Sequence, residues 1–254
     1  MPRRRYDDDY NWPPYISAAE RRSKAARETA RLTKTGRSLQ PVVIDGFKIA
    51  KTFWGKAWCG NLERYSDFAN RLPRGRSYLR NGSVLDLRIA NCAVTALVSG
   101  SRVYDVEVNI AAIPGARWKS ICTDCAGAID SLVELLKGRL SDSVMSRLCQ
   151  EKTGMFPSPP EIKFQCSCPD SARMCKHVAA VLYGIGARLD EKPELLFTLR
   201  NVNQKDLIVR AGEGMVKTRD RIEKVLEDDN LSEIFGIEIT QPPSPRGRKR
   251  RGKP

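Results

Sequence analysis

Apolar positions along this chain alternate between two periods. From Trp54 to Leu72, the residues Trp54, Trp58, Leu62, Tyr65, Ala69 and Leu72 recur at three- and four-residue spacing. That is one face of an amphipathic helix, with Pro73 expected to end it. Three β-prone runs follow, SVLDLRIA, CAVTALVSG and RVYDVEVNIAAI, punctuated by Gly82, Asn91 and Gly100-Ser101. They predict a three-stranded antiparallel meander. Helical period returns over 114–140, where Trp118, Ile121, Cys122, Cys125, Ile129, Leu132, Val133, Leu136 and Leu140 form one stripe. A short helix is expected over 141–150. Ahead of the first helix, PVVIDGFKIA reads as a strand broken by an Asp-Gly turn.

The segment TGMFPSPPE, with Gly154 and three prolines, is the strongest internal boundary signal. Beyond it lie the strand-like EIKFQCSC, a tight segment and a helix over 176–189, with short helices expected over 193–200, 204–210 and 218–228. Residues 17–35 are rich in Ala, Arg, Glu and Lys, good helix formers. They carry no continuous apolar stripe, so a helix there is expected to be loosely held or to form on a partner. The resulting expectation is an α+β protein in four parts. A flexible basic arm (1–40) precedes an N-terminal domain of meander and packed helices (41–150). A second unit (155–235) and a disordered basic tail (236–254) follow.

No stretch approaches the ~18 apolar residues of a membrane span, and no apolar run follows the basic residues near Met1, as a secretory signal requires. The cytoplasm is the expected location, where thiols stay reduced. The net charge of +14 is unevenly spread: residues 1–40 hold ten basic and five acidic side chains, and residues 241–254 hold six basic and none acidic. Such termini suit polyanions through counterion release.

The sharpest chemistry is C-S-C-P-D-S-A-R-M-C-K-H, that is, C-x-C, six residues, C-x-H. Zinc favours thiolate and imidazole ligands in a tetrahedron, and a closed set of four is the structural type. Alternate residues of a strand share a face, so Cys166 and Cys168 point one way. Pro169 and Asp170 favour a returning turn. Cys175 and His177 stand at the expected start of the next helix, whose free N–H groups stabilise thiolates. His177 is the only histidine of the 254 residues. One structural Zn2+ on Cys166, Cys168, Cys175 and His177 is therefore expected, and its loss should unfold residues 160–190. The other cysteines, Cys59, Cys92, Cys122, Cys125 and Cys149, read as core residues, and Trp54 and Trp58 likewise.

This pattern resembles the SWIM zinc finger, C-x-C then C-x-H in a ββα unit. The likeness extends to CKHVAAVLYGIGARLDEKPELLFTLRNV, to the W-GKAWC-NLE segment and to RLPRGRSYLRNGSVLDL. These are similar to bacterial SWIM finger proteins over roughly residues 45–210. The resemblance implies a ββα finger with short covering helices, a role in binding nucleic acid or protein, and association with a Swi/Snf-type helicase. The expected partner is DNA or RNA, contacted by Arg71, Arg74, Arg76 and Arg80 in a basic loop that includes Tyr78. Lys176 and the tail residues Arg248, Lys249, Arg250 and Arg251 are further candidates. The alternative is an adaptor whose finger docks another protein.

Catalysis is not expected. With His177 committed to metal, no histidine serves as general base, and four protein ligands leave no open position on zinc. The sequence holds neither G-x-x-x-x-G-K-[ST] nor G-x-G-x-x-G, so no small-molecule substrate is expected.

Overall fold

The hydrophobic runs close into one sheet with helices on it. The structure, a computed structural model, describes residues 16–207 except 65–69, 127, 129–131, 138 and 140. Outside the described residues lie Tyr65, Ala69, Ile129, Leu140, the helix expected at 218–228, and the tail with Arg248, Lys249, Arg250 and Arg251. The elements run α1 (Ala18–Lys34), α2 (Phe53–Glu63), α3 (Leu72–Arg80), β1 (Val84–Ala90), β2 (Ala93–Ser99) and β3 (Val103–Ile110). They continue with α4 (Gly115–Asp124), α5 (Leu132–Leu136), α6 (Asp142–Cys149), β4 (Ile162–Cys166), α7 (Lys176–Glu191) and α8 (Leu195–Leu199).

The α+β class and the meander stand as expected: β1, β2 and β3 pair antiparallel in order, because their alternating apolar residues share one buried face. The expected partition into two domains does not stand. β4 joins the same sheet as its fourth strand, pairing antiparallel with β3 from Ile110↔Ile162 to Val106↔Cys166. The finger's ββα unit is thus β3, β4 and α7, and it shares a strand with the meander. The proline-rich boundary is likewise no linker. Met155 and Phe156 are buried in the common core, Phe156 lies edge-on to Trp58, and Pro157 accepts a hydrogen bond from the Asn61 side chain.

The core is organised by α7, whose Lys176–Glu191 span is buried on nearly every side, as expected of a helix apolar all round. It packs on α2 and α3 and against the sheet. Small residues permit the close approach: a Cβ on Gly75 of α3 would lie 2.5 Å from the Ala179 Cβ, so only glycine fits that crossing. Trp58 sends its indole N–H to the Leu182 carbonyl at 2.8 Å, tying α2 to α7 in the interior.

Several local expectations are corrected. The helix expected across 54–72 is two: α2 ends at Glu63, and Pro73 stands in the first turn of α3, where proline's missing N–H costs nothing. The stripe over 114–140 breaks after Asp124, at a Thr-Asp-Cys-Ala-Gly run poor in helix formers. Residues 41–50 form no strand, although Val42 N–H bonds the Val84 carbonyl and Leu87 N–H bonds that of Gln40. Gly46 supplies the positive φ the turn there needs. The helix expected at 204–210 is described only to Leu207, which is buried.

The expectation of a flexible arm over 1–40 fails for its described part. Ser17 and Glu20 form a reciprocal capping box at the start of α1. Ala25 and Leu32 then bury against Leu85 on the face of the sheet opposite α7. A β-bulge between Val84 and Asp86 makes this contact: it leaves Val84 and Leu87 in the α7 core while Leu85 meets α1.

Arg200, fully buried, bolts the sheet's end to the helices. It donates to the Ala111 carbonyl at 2.6 Å and to Glu161 at 2.8 Å, and Arg117 reaches the same carboxylate at 3.2 Å. Burial alone would raise the Glu161 carboxyl. The Arg200 hydrogen bond and the Ser158 N–H outweigh it and hold that carboxyl at about 2. Because the folded value is depressed, this stability is present above the ordinary carboxylate range and is lost as pH falls from about 4 toward 2. Urea midpoints measured against pH should fall through that window. Glu161→Gln should flatten this acid limb and cost about 2–3 kcal/mol at neutral pH.

Candidate metal centre

The ligand set assembles where β4 ends and α7 begins. Strand pairing holds Cys166 opposite Val106. Ser167 turns the other way, its hydroxyl accepting from Asp105 N–H and its own N–H donating to the Asp105 carbonyl. Alternation then returns Cys168 to the side of Cys166. After Pro169, the Asp170 carboxylate accepts from Ala172 N–H, closing the turn, and is anchored 3.4 Å from Arg71 at the start of α3. Cys175 is the N-cap of α7, its sulfur accepting from Val178 N–H at 3.5 Å. His177 follows in the first turn.

All four ligand atoms lie within 4.8 Å of one another. His177 Nδ1 is 3.8 Å from the sulfurs of both Cys166 and Cys175. A tetrahedron with zinc–sulfur bonds of about 2.3 Å has edges of roughly 3.8 Å, so the donors already stand at near-coordinating separations. Their protonation chemistry agrees. Burial pushes the Cys166 and Cys175 thiols up, so thiolates there require a cation to compensate them. Burial, aided by Lys176, pushes His177 down to about 4, leaving a neutral imidazole with a lone pair to give. Three sulfurs and one nitrogen fit zinc and complete its shell.

The expected nucleic-acid residues fare differently. Arg71, Arg74, Arg76 and Arg80 belong to no loop; Arg71 caps α3 and the other three lie in it. Arg71 faces Asp170, Arg76 bonds Glu63 at 2.8 Å and lies over the Tyr183 ring, and Arg80 donates to the Phe47 carbonyl. Arg74 is exposed. Lys176 stands 5.5 Å from the centroid of the Tyr78 ring. Trp54, Trp58, Cys122 and Cys125 are buried as expected, and Cys59 and Cys149 pack against the core. Cys92 instead takes a positive φ in the turn between β1 and β2.

Sequence reasoning passed over Tyr104, Gly100 and Lys24. Tyr104 lies against the His177 ring with centroids 4.6 Å apart, and Tyr78 meets the same ring edge-on at 5.4 Å. A Cβ on Gly100 would come within 2.8 Å of His177 Nε2, so that position has no room for a side chain. Lys24 of α1 donates to the Ser101 carbonyl beside them at 2.8 Å. No local spacing marks any of the three, since β2, β3 and α1 bring them to the site from far along the chain.

The SWIM zinc finger family matches residues 164–184, a span that holds all four ligands. The uncharacterized protein Rv2102 of Mycobacterium tuberculosis is 31% identical over 209 residues, covering 77% of this chain and 75% of its own. No solved structure matches. Among the described residues, no helix is long and apolar enough to cross a membrane.

Because β4 and α7 belong to the common core, metal loss should not stop at residues 160–190. Cys175→Ser, or chelation of the wild type, is expected to abolish the near-ultraviolet circular dichroism of the buried tryptophans together with the helical signal, in one transition. Retention of the tryptophan signal after zinc removal would confine the metal's effect to the finger.

Proposed function

We propose that this chain, which belongs to the SWIM zinc finger family, is a nucleic-acid-binding accessory protein whose zinc holds a shape and performs no chemistry. One observation carries this reading: the basic helix α1 is clamped beside the metal centre. Lys24 ties it to Ser101, and Ala25 and Leu32 seat it on Leu85. Arg22, Arg27 and Lys34 are left exposed on a rigid support. Charges held in place lose less entropy on meeting phosphates than charges on a free chain. The basic residues at 246–253 add to the same attraction. Arg71, Arg76 and Arg80 contribute less than the sequence suggested, being engaged within the protein. Association with a Swi/Snf-type helicase is part of the proposal on the family resemblance alone.

A protein-docking reading has one observation in its favour. Val43 and Phe47, 70% and 84% exposed, lie four residues apart on the segment before α2, and exposed large apolar side chains suit a protein partner. The two readings separate on salt. In the nucleic-acid reading, bare DNA or RNA binds at low salt with a log–log slope steeper than about −3. Arg22→Gln with Arg27→Gln should shallow that slope by about one per charge removed. If polynucleotide is ignored at low salt while a helicase co-purifies and Phe47→Ser releases it, the adaptor reading holds.

A further inference from the structure

One polar atom of the metal centre has no partner. His177 is 3% exposed and turns Nδ1 toward the sulfurs, yet its Nε2 is buried without a hydrogen bond. Coordination through Nδ1 puts the proton on Nε2, and a buried N–H left unpaired costs about 1–3 kcal/mol. The same imidazole lines a cleft of about 380 Å³ between α1, the β2–β3 turn and the start of α7. Gly100 borders it there, packed so closely on the Tyr104 and His177 rings that a Cβ would clash with both.

The cleft's lining is specific in kind. Arg21 and Lys24, three apart on α1 and so on one face, stand on it with Lys176. Lys24 spends one of its three protons on Ser101 and keeps two. The carboxylate in the lining, Asp170, already faces Arg71. Tyr78 presents a half-buried ring with the Lys176 ammonium over it. Cations, hydroxyls of Ser83, Ser99 and Ser101, and an aromatic wall meet in a space within the range of small-ligand sites.

We propose that this cleft takes one unstacked nucleotide of a single-stranded nucleic acid. Its phosphate lies at Arg21, Lys24 and Lys176, and its base rests against Tyr78. A duplex keeps its bases stacked inside and cannot offer one to a concave aromatic site, whereas a single strand can. The proposal deepens the nucleic-acid reading above and rests on it.

The test uses full-length, zinc-loaded protein and fluorescence anisotropy with a short labelled oligothymidylate and a duplex of equal length. Single strand should bind more tightly than duplex. Tyr78→Leu should weaken it roughly tenfold, and Lys24→Gln and Lys176→Gln should each weaken it with a shallower salt slope. An oligonucleotide carrying 5-iodouracil should photocrosslink to Tyr78 in the wild type, a readout that survives if Tyr78→Leu does not fold. Unchanged affinity in both lysine variants, with binding lost only when Arg22, Arg27 or the tail is neutralised, would overturn the cleft and leave the broader reading standing. Absence of binding to any polynucleotide would sink both. Displacement by thymidine monophosphate at equal nucleotide concentration would overturn the strand as source. Displacement by a phosphoserine peptide of equal charge would overturn the nucleotide itself.

Discussion

Three thiols and one imidazole stand within 4.8 Å of one another where the last strand of the sheet hands over to the central helix. Buried together without a cation they would be neutral and poorly paired, since burial raises the thiols and lowers the imidazole. A metal turns this cost into a cross-link between β4 and α7, and through them between the whole sheet and the helices packed on it. In a finger that folds alone, zinc stabilises a small hairpin and helix. Here the same four ligands stand at the edge of a larger core that includes Trp54, Trp58 and Tyr183.

That placement also explains the surroundings of the site. β3 lends Tyr104 to one face of His177, α3 lends Tyr78 to its edge, and α3 reaches the ligand-bearing turn through Arg71 and Asp170. α1, on the other side of the sheet's edge, brings its cations to the same spot through Lys24. The metal fixes the imidazole, the imidazole and its aromatic neighbours shape a cleft, and the cleft gathers positive charge. Structure and surface chemistry thus share one origin.

How much of this could be read from the residues depended on distance along the chain. The ligands were legible because C-x-C and C-x-H are local patterns with a specific chemistry, and β1, β2 and β3 because alternation needs only neighbours. α1 is seated by two small contacts, Ala25 and Leu32, too few to show as an apolar stripe. Pro73 reads locally as a stop, although a helix's first turn accepts it. The proline-rich run at 157–160 hid Met155 and Phe156, whose burial depends on α2. The arginines of α3 looked available because their partners, Glu63, Phe47 and Asp170, lie up to a hundred residues off. Long-range pairing, including the β3–β4 register, leaves no mark in spacing.

X-ray absorption at the zinc edge, on protein purified without added metal, addresses the centre most directly. One zinc per chain is predicted, with three sulfurs at about 2.3 Å, one nitrogen at about 2.0–2.1 Å and no oxygen ligand. A chain without zinc, or a shell containing water or carboxylate oxygen, would contradict the closed site from which the fold and cleft have been derived.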